Sequence, residues 1–186
     1  APPIMERFSL TADSNSRMSN EISQPLVVSL PLPEDTDRLG RAFARTLCAR
    51  ADEIRRTGLA IRLEGDLGAG KTSLVRAILR GLGYEGAVKS PTFSLLETYA
   101  VAGLEFNHFD FYRFETPEEF EDAGFEECFR PGAVCATEWS EKAVPYLPPA
   151  DLIVNLTVEG LGRRAELTPQ TEAARVLLAS LPKDLE

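Results

Sequence analysis

Gly65, Gly70, Lys71 and Thr72 stand at the spacing G-x-x-x-x-G-K-[ST], within Gly65-Asp66-Leu67-Gly68-Ala69-Gly70-Lys71-Thr72-Ser73. Each residue type answers a need of triphosphate chemistry. Glycines let successive backbone N–H groups converge on phosphate oxygens without Cβ clashes. A helix that starts at Lys71 adds the positive end of its dipole. Lys71 reaches the β- and γ-phosphates, and the Thr72 hydroxyl is offered to a magnesium ion that bridges them. A chance match in a chain of this length is expected at roughly half a percent. Gly65, Asp66, Gly68, Ala69, Gly70, Lys71, Thr72 and Ser73 are therefore read as a binding loop for ATP, or a close relative, with Mg2+.

Such a loop needs an acidic residue at the end of a neighbouring strand, close to the metal. Two candidates follow in the chain. Asp110 comes after the aromatic-rich run Phe106-Asn107-His108-Phe109, and Glu138 ends the more apolar run Val134-Cys135-Ala136-Thr137. Both stay open. His108, the only histidine, reads more readily as a half-buried packing residue than as a catalyst. Trp139 fits either core packing or a cover over the nucleotide. Ser90-Pro91-Thr92-Phe93 fits either a hydroxyl switch that senses the γ-phosphate or a plain proline turn.

Positioning the loop takes a strand before it and a helix after it. Leu59 to Leu63 supplies the strand, and the helix is expected through about Leu82, stopped by Gly83. Upstream, Leu26 to Leu30 reads as a first strand. A helix opened by Pro33-Glu34-Asp35-Thr36 then places Leu39, Phe43, Leu47 and Ile54 on one face before Gly58 breaks it. Downstream, Phe93 to Tyr99 and Leu104 to Phe111 predict a hairpin turning at Ala102-Gly103. Pro117 to Ala123 predicts a short helix, and Ala133 to Thr137 a buried strand. Asp151 to Val158 and Arg164 to Leu167 predict two more strands, and Thr168-Pro169 the cap of a last helix ending at Leu181. The fold class is α/β, a P-loop NTPase-type three-layer fold whose central mixed sheet carries an inserted antiparallel hairpin.

Twenty basic against twenty-nine acidic residues leave a net charge of −9, which repels polyphosphate. DNA is excluded as a partner on this ground, and a role near RNA is expected to run through a protein partner or a small local patch. No apolar run reaches the length of a membrane span, and no basic-then-apolar leader opens the chain, so a cytoplasmic protein is expected. Cys48, Cys128 and Cys135 are an odd number without C-x-x-C spacing, which points to buried free thiols in a reducing compartment. Residues 1–24 are polar and aperiodic. They are set aside as a disordered extension or an expression remnant, leaving residues 25–186 as one P-loop ATPase domain.

The phosphate loop, then Lys89-Ser90-Pro91-Thr92-Phe93, then His108-Phe109-Asp110-Phe111-Tyr112-Arg113, then Glu138-Trp139, occur in an order and spacing that closely resemble the TsaE family. These are small bacterial ATPases of the tRNA threonylcarbamoyladenosine (t6A) pathway, and the resemblance covers about residues 27 to 180. It implies weak ATP hydrolysis that TsaB and TsaD switch on, in support of t6A formation at position 37 of ANN-decoding tRNAs, with tRNA met only through that complex. It also implies metal contacts at Thr72 and Glu138, and catalytic roles for Lys71 and for Asp110, the latter orienting the attacking water. Thr36 would lie beside the adenine, and Gly162 and Arg163 near the nucleotide. Ser90, Thr92, His108, Tyr112 and Trp139 would take switch or supporting positions. Phe93 stands where relatives often carry tyrosine, and Ser140 where they often carry proline. An alternative reading is an assembly module for which hydrolysis is only a timer. A small-molecule kinase is disfavoured because no arginine-rich lid follows the loop.

Overall fold

The structure is a computed structural model that describes residues 24–181. The expectation for residues 1–24 therefore lies outside the described residues except at Gln24. The elements run β1 (Leu26–Leu30), α1 (Pro33–Ala49), α2 (Ala51–Thr57), β2 (Leu59–Glu64), α3 (Lys71–Gly81), β3 (Leu96–Val101), β4 (Leu104–Asp110), α4 (Glu118–Asp122), β5 (Ala133–Glu138), β6 (Leu152–Glu159), β7 (Gly162–Pro169) and α5 (Glu172–Ala179). One-turn 3-10 helices lie at Phe125–Cys128 and Ser140–Lys142.

Seven strands form one sheet in the order β1-β7-β6-β2-β5-β4-β3. β2 runs parallel to both β5 and β6, and β4 runs parallel to β5. The β3–β4 hairpin closes one edge, and antiparallel β6, β7 and β1 close the other. The sheet is thus mixed, with the parallel strands around the phosphate loop and the hairpin added beside them. β5 lies between β2 and β4, and all six of its residues are buried. That explains why its sequence reads as a continuous apolar run rather than an alternating one.

On one face, α1, α2, α3 and α5 pack over Ile61, Leu63, Val134, Ala136, Leu152 and Val154 in a single apolar cluster. Each fully buried leucine or phenylalanine there contributes about 1.5–3 kcal/mol. The opposite face is covered more thinly. α4 and the 3-10 turn after it hold Phe120 and Phe125 against Phe109, Phe111, Phe114 and Phe129, with the Phe125 and Phe109 ring centroids 5.2 Å apart. Helices α1 and α3 touch most closely through small residues. A Cβ built on Gly40 would lie 2.2 Å from the Ala77 Cβ, and one on Gly81 would lie 2.6 Å from the Ala44 Cβ. Since 40 meets 77 and 44 meets 81, the two helices run parallel. Their first turns therefore lie at the same end of the sheet, with Thr36 level with Ser73.

Several boundaries depart from expectation. The first long helix is two, because Arg50 leaves helical geometry at φ −104°, ψ 14°, and only the second carries Ile54. The strand expected from Phe93 starts at Leu96. Pro91 through Ser94 turn instead, closed by the Leu95 amide donating to the Pro91 carbonyl at 2.7 Å. β7 extends to Pro169, which pairs with Leu152, so the last helix is capped by Thr171 and not by Thr168-Pro169. Thr171 Oγ1 accepts the Ala174 amide at 3.3 Å and donates to Asp151 at 3.0 Å. The expectation of three buried thiols holds for Cys135 only: Cys128 is half-buried and Cys48 is exposed, all three being free. No helix among the described residues is long and apolar enough to cross a membrane.

Candidate functional site

The site gathers at the C-terminal ends of β2, β5 and β4, where parallel α/β sheets bind their ligands. β2 delivers the chain into Gly65, and α3 leaves from Lys71. Gly65 is required twice over. Its φ is 142°, and a Cβ there would lie 2.4 Å from the Leu156 carbonyl oxygen of β6. Gly68 and Gly70 also adopt positive φ, 82° and 103°, and a Cβ on either would meet nothing within 4 Å. Their absent side chains leave open space over the loop. No side chain caps α3, so its first-turn amides at Lys71, Thr72 and Ser73 are available to an anion. These features fit a bound polyphosphate.

Lys71 is buried. Its ammonium donates to the Gly65 carbonyl at 2.6 Å and lies 4.5 Å from the Trp139 ring centroid. Trp139 sits in the left-handed region at φ 56° and packs on Tyr112 at 5.0 Å between centroids. Lys142 completes that stack, 4.9 Å from the Tyr112 ring and bonded to the Tyr112 carbonyl at 2.6 Å. Trp139 also packs against the Phe109 and Phe111 cluster, so the geometry accommodates both of its readings. The indole is half-buried and roofs the lysine of the loop. A cavity of about 620 Å³ opens beside it, bounded by the loop, Trp139, Glu141 and the Asn155–Val158 end of β6.

The two acidic candidates are register partners. Asp110 ends β4 directly opposite Glu138 at the end of β5, and both carboxylates are buried. Thr72 Oγ1 lies 3.5 Å from Glu138 Oε2. Asp110 accepts from the Tyr112 amide at 2.9 Å and from Thr92 Oγ1 at 3.3 Å, while Thr92 and Ser90 share a hydrogen bond of 2.8 Å. Burial pushes the Asp110 carboxyl above its ordinary value. The Tyr112 amide opposes this, the Glu138 charge adds to it, and Thr92 and His108 pull it back. Thr92 thus reaches an acidic side chain of the site from the Pro91–Ser94 turn, and Ser90 bonds the Thr92 hydroxyl.

His108 is fully buried rather than half-buried, and its Nε2 lies 2.5 Å from Glu138 Oε2. Among the described residues no group of three or more histidine, cysteine or carboxylate side chains is placed to hold a metal. Thr72 and Glu138 offer two hard oxygens instead. That partial set fits magnesium, which completes its shell with phosphate oxygens and water.

Arg163 reaches over the loop from β7, donating from Nε to the Ala69 carbonyl and from Nη2 to the Gly68 carbonyl, each at 3.2 Å. Gly162, before it, has no room for a Cβ against Pro31 and the Leu30 carbonyl. Among the described residues Thr36, half-buried in the first turn of α1, makes no hydrogen bond to the loop, and it does not line the cavity. Asp66 and Ser73 are exposed at the loop tip and the first turn of α3. Sequence reasoning missed Lys142, Glu141 and the end of β6. Lys142 lies four residues past Glu138, which could have flagged it, whereas nothing in the alternating β6 pattern marks Asn155 to Val158. It also missed the packing of the Arg113 guanidinium 3.9 Å from the centroid of the exposed Phe93 ring.

Residues 30–165 match the family model described as "Threonylcarbamoyl adenosine biosynthesis protein TsaE". The tRNA threonylcarbamoyladenosine biosynthesis protein TsaE of Haemophilus influenzae is 41% identical over 143 residues, covering 77% of this chain and 89% of that protein. Its namesake in Nostoc sp. is 39% identical over 154 residues, covering 80% and 88%. Among solved structures, the crystal structure of Bacillus subtilis YdiB superposes with a TM-score of 0.69 at 27% identity, over 86% of this chain and 95% of that one. With its phosphate loop, paired carboxylates and mixed sheet in the order described, this chain belongs to the TsaE family.

Proposed function

We propose that this chain is a magnesium-dependent ATPase that serves t6A formation on ANN-decoding tRNAs, working on a TsaB–TsaD complex that activates it. One observation carries the chemical half of the reading. The helix-opening loop with Lys71 and Thr72 faces two carboxylates on adjacent parallel strands, one of them 3.5 Å from the Thr72 hydroxyl. The names of its relatives support the pathway half.

In this reading the amides of Gly68 to Ser73 hold the phosphate oxygens, and Lys71 exchanges its Gly65 carbonyl for the β- and γ-phosphates. Thr72 and Glu138 would hold magnesium, which draws charge from the triphosphate and orients its terminal group. Asp110, fixed by the Tyr112 amide and Thr92, orients the attacking water. Its raised proton affinity suits a group that holds a proton at the reacting oxygen. Trp139 shields Lys71 from water, which strengthens every charge contact beneath it.

Turnover of ATP, measured with the chain alone and then with TsaB, TsaD and a t6A-accepting tRNA, tests this reading. Slow hydrolysis alone and a severalfold or larger rise with the partners is the expected result. Partners that bind yet leave the rate unchanged would favour the assembly module, in which hydrolysis only times release.

A further inference from the structure

His108 lies on β4 two residues before Asp110 and on the same sheet face as Phe106. It is the only histidine in the chain, and it is wholly shut off from solvent. Nε2 meets Glu138 Oε2 at 2.5 Å, whereas Nδ1, also buried, has no hydrogen-bond partner among the described residues. A carboxylate oxygen only accepts, so Nε2 must carry the proton of that bond. The geometry thus aims a single donor, Nε2–H, at a single oxygen.

That oxygen is the one nearest Thr72 Oγ1. Glu138 ends its strand, and a carboxylate there can rotate unless one of its oxygens is tied. We propose that His108 is the positioning residue for Glu138. Its Nε2–H ties the same oxygen, Oε2, that lies nearest Thr72 Oγ1, so that Glu138 faces magnesium in the orientation that Thr72 shares. The proposal rests on the magnesium–ATP reading above and adds to it the residue that sets the geometry of the metal ligand. Groups that hold a metal ligand in place commonly affect metal affinity by 10–100-fold.

A tag-free, 15N-labelled chain makes the first test direct, since every imidazole signal belongs to His108. Long-range 1H–15N correlation is expected to show a protonated Nε2 held in one state, and Glu138→Gln is expected to shift both ring nitrogens. An unprotonated Nε2, fast averaging between ring states, or ring signals indifferent to Glu138→Gln would overturn the proposal. The second test titrates magnesium at fixed ATP, following the fluorescence of Trp139, the only tryptophan. His108→Leu is expected to raise the half-saturating magnesium concentration about tenfold. His108→Gln, whose amide can place a donor near Nε2, should stay within about threefold of wild type. Should the leucine variant fail to fold, His108→Asn, too short to reach Glu138, is expected to show the tenfold rise in its place. Equal magnesium dependence in wild type and in the folded variants without the donor would overturn the positioning role. A wild-type chain that binds ATP with no response to magnesium would overturn the functional reading and this one with it, whatever the ring spectra show.

Discussion

At the scale of single residues, two neighbouring carboxylates stand in different surroundings. Glu138 is tied to His108 and lies beside Thr72, whereas Asp110 is tied to Thr92 and the Tyr112 amide. Asp110→Ala is therefore expected to leave the affinity for magnesium–ATP within about twofold while lowering partner-stimulated turnover at least about 100-fold. Calorimetry and a phosphate-release assay on one preparation separate the two effects, and an unchanged rate would remove Asp110 from the reaction. The thiols give a second prediction. Burial raises the Cys135 thiol to about 12. At neutral pH a thiol reagent should label Cys48 fast and Cys128 slowly, leaving Cys135 untouched until the protein unfolds. Since the folded state holds the Cys135 proton that the unfolded chain loses near pH 9, this group costs stability as pH rises from about 9 toward 12. The limiting slope is about 1.4 kcal/mol per pH unit. Cys135→Ala should flatten urea-denaturation midpoints over that range relative to wild type.

Elements set what those residues can reach. The phosphate loop was legible because its chemistry is local: the spacing of Gly65, Gly70, Lys71 and Thr72, with a strand before and a helix after, defines it without knowledge of the rest. Glu138 and Asp110 were legible as candidates, but their adjacency depends on β4 and β5 pairing in register across nearly thirty residues of intervening chain, which no local pattern encodes. The same non-locality hid the contact of His108 with Glu138, 30 residues away in the chain. The histidine's single occurrence and aromatic neighbours favoured packing, and the family resemblance alone placed it among the supporting residues. Helix boundaries failed where one backbone residue decides them, as at Arg50, and the Phe93 strand failed because Pro91 and its hydroxyl neighbours favour a turn. The parallel contact of α1 and α3 brings the first turn of α1 level with the loop and depends on Gly40. Gly40→Val should improve nothing despite glycine's poor helix propensity. With its Cβ 2.2 Å from the Ala77 Cβ, the variant is expected to lose about 2 kcal/mol or more in a urea titration, and a neutral result would show that the helices can separate freely.

For the molecule as a whole, the sheet order places everything chemical at one end and everything apolar behind it. The phosphate loop, both carboxylates, the Pro91–Ser94 turn and Trp139 share the C-terminal ends of three adjacent strands, and Arg163 reaches in from β7. The net charge of −9 disfavours an anionic ligand in general, so a triphosphate would depend on the donors concentrated at this place. The central claim is that this loop grips a triphosphate, and calorimetric titration of magnesium–ATP into the chain measures it most directly. A saturable heat at one equivalent, lost in Lys71→Ala while the variant keeps its wild-type circular dichroism, is the predicted result. No heat of binding from the wild-type chain, alone and in its partner complex, or the same isotherm from folded Lys71→Ala, would contradict it.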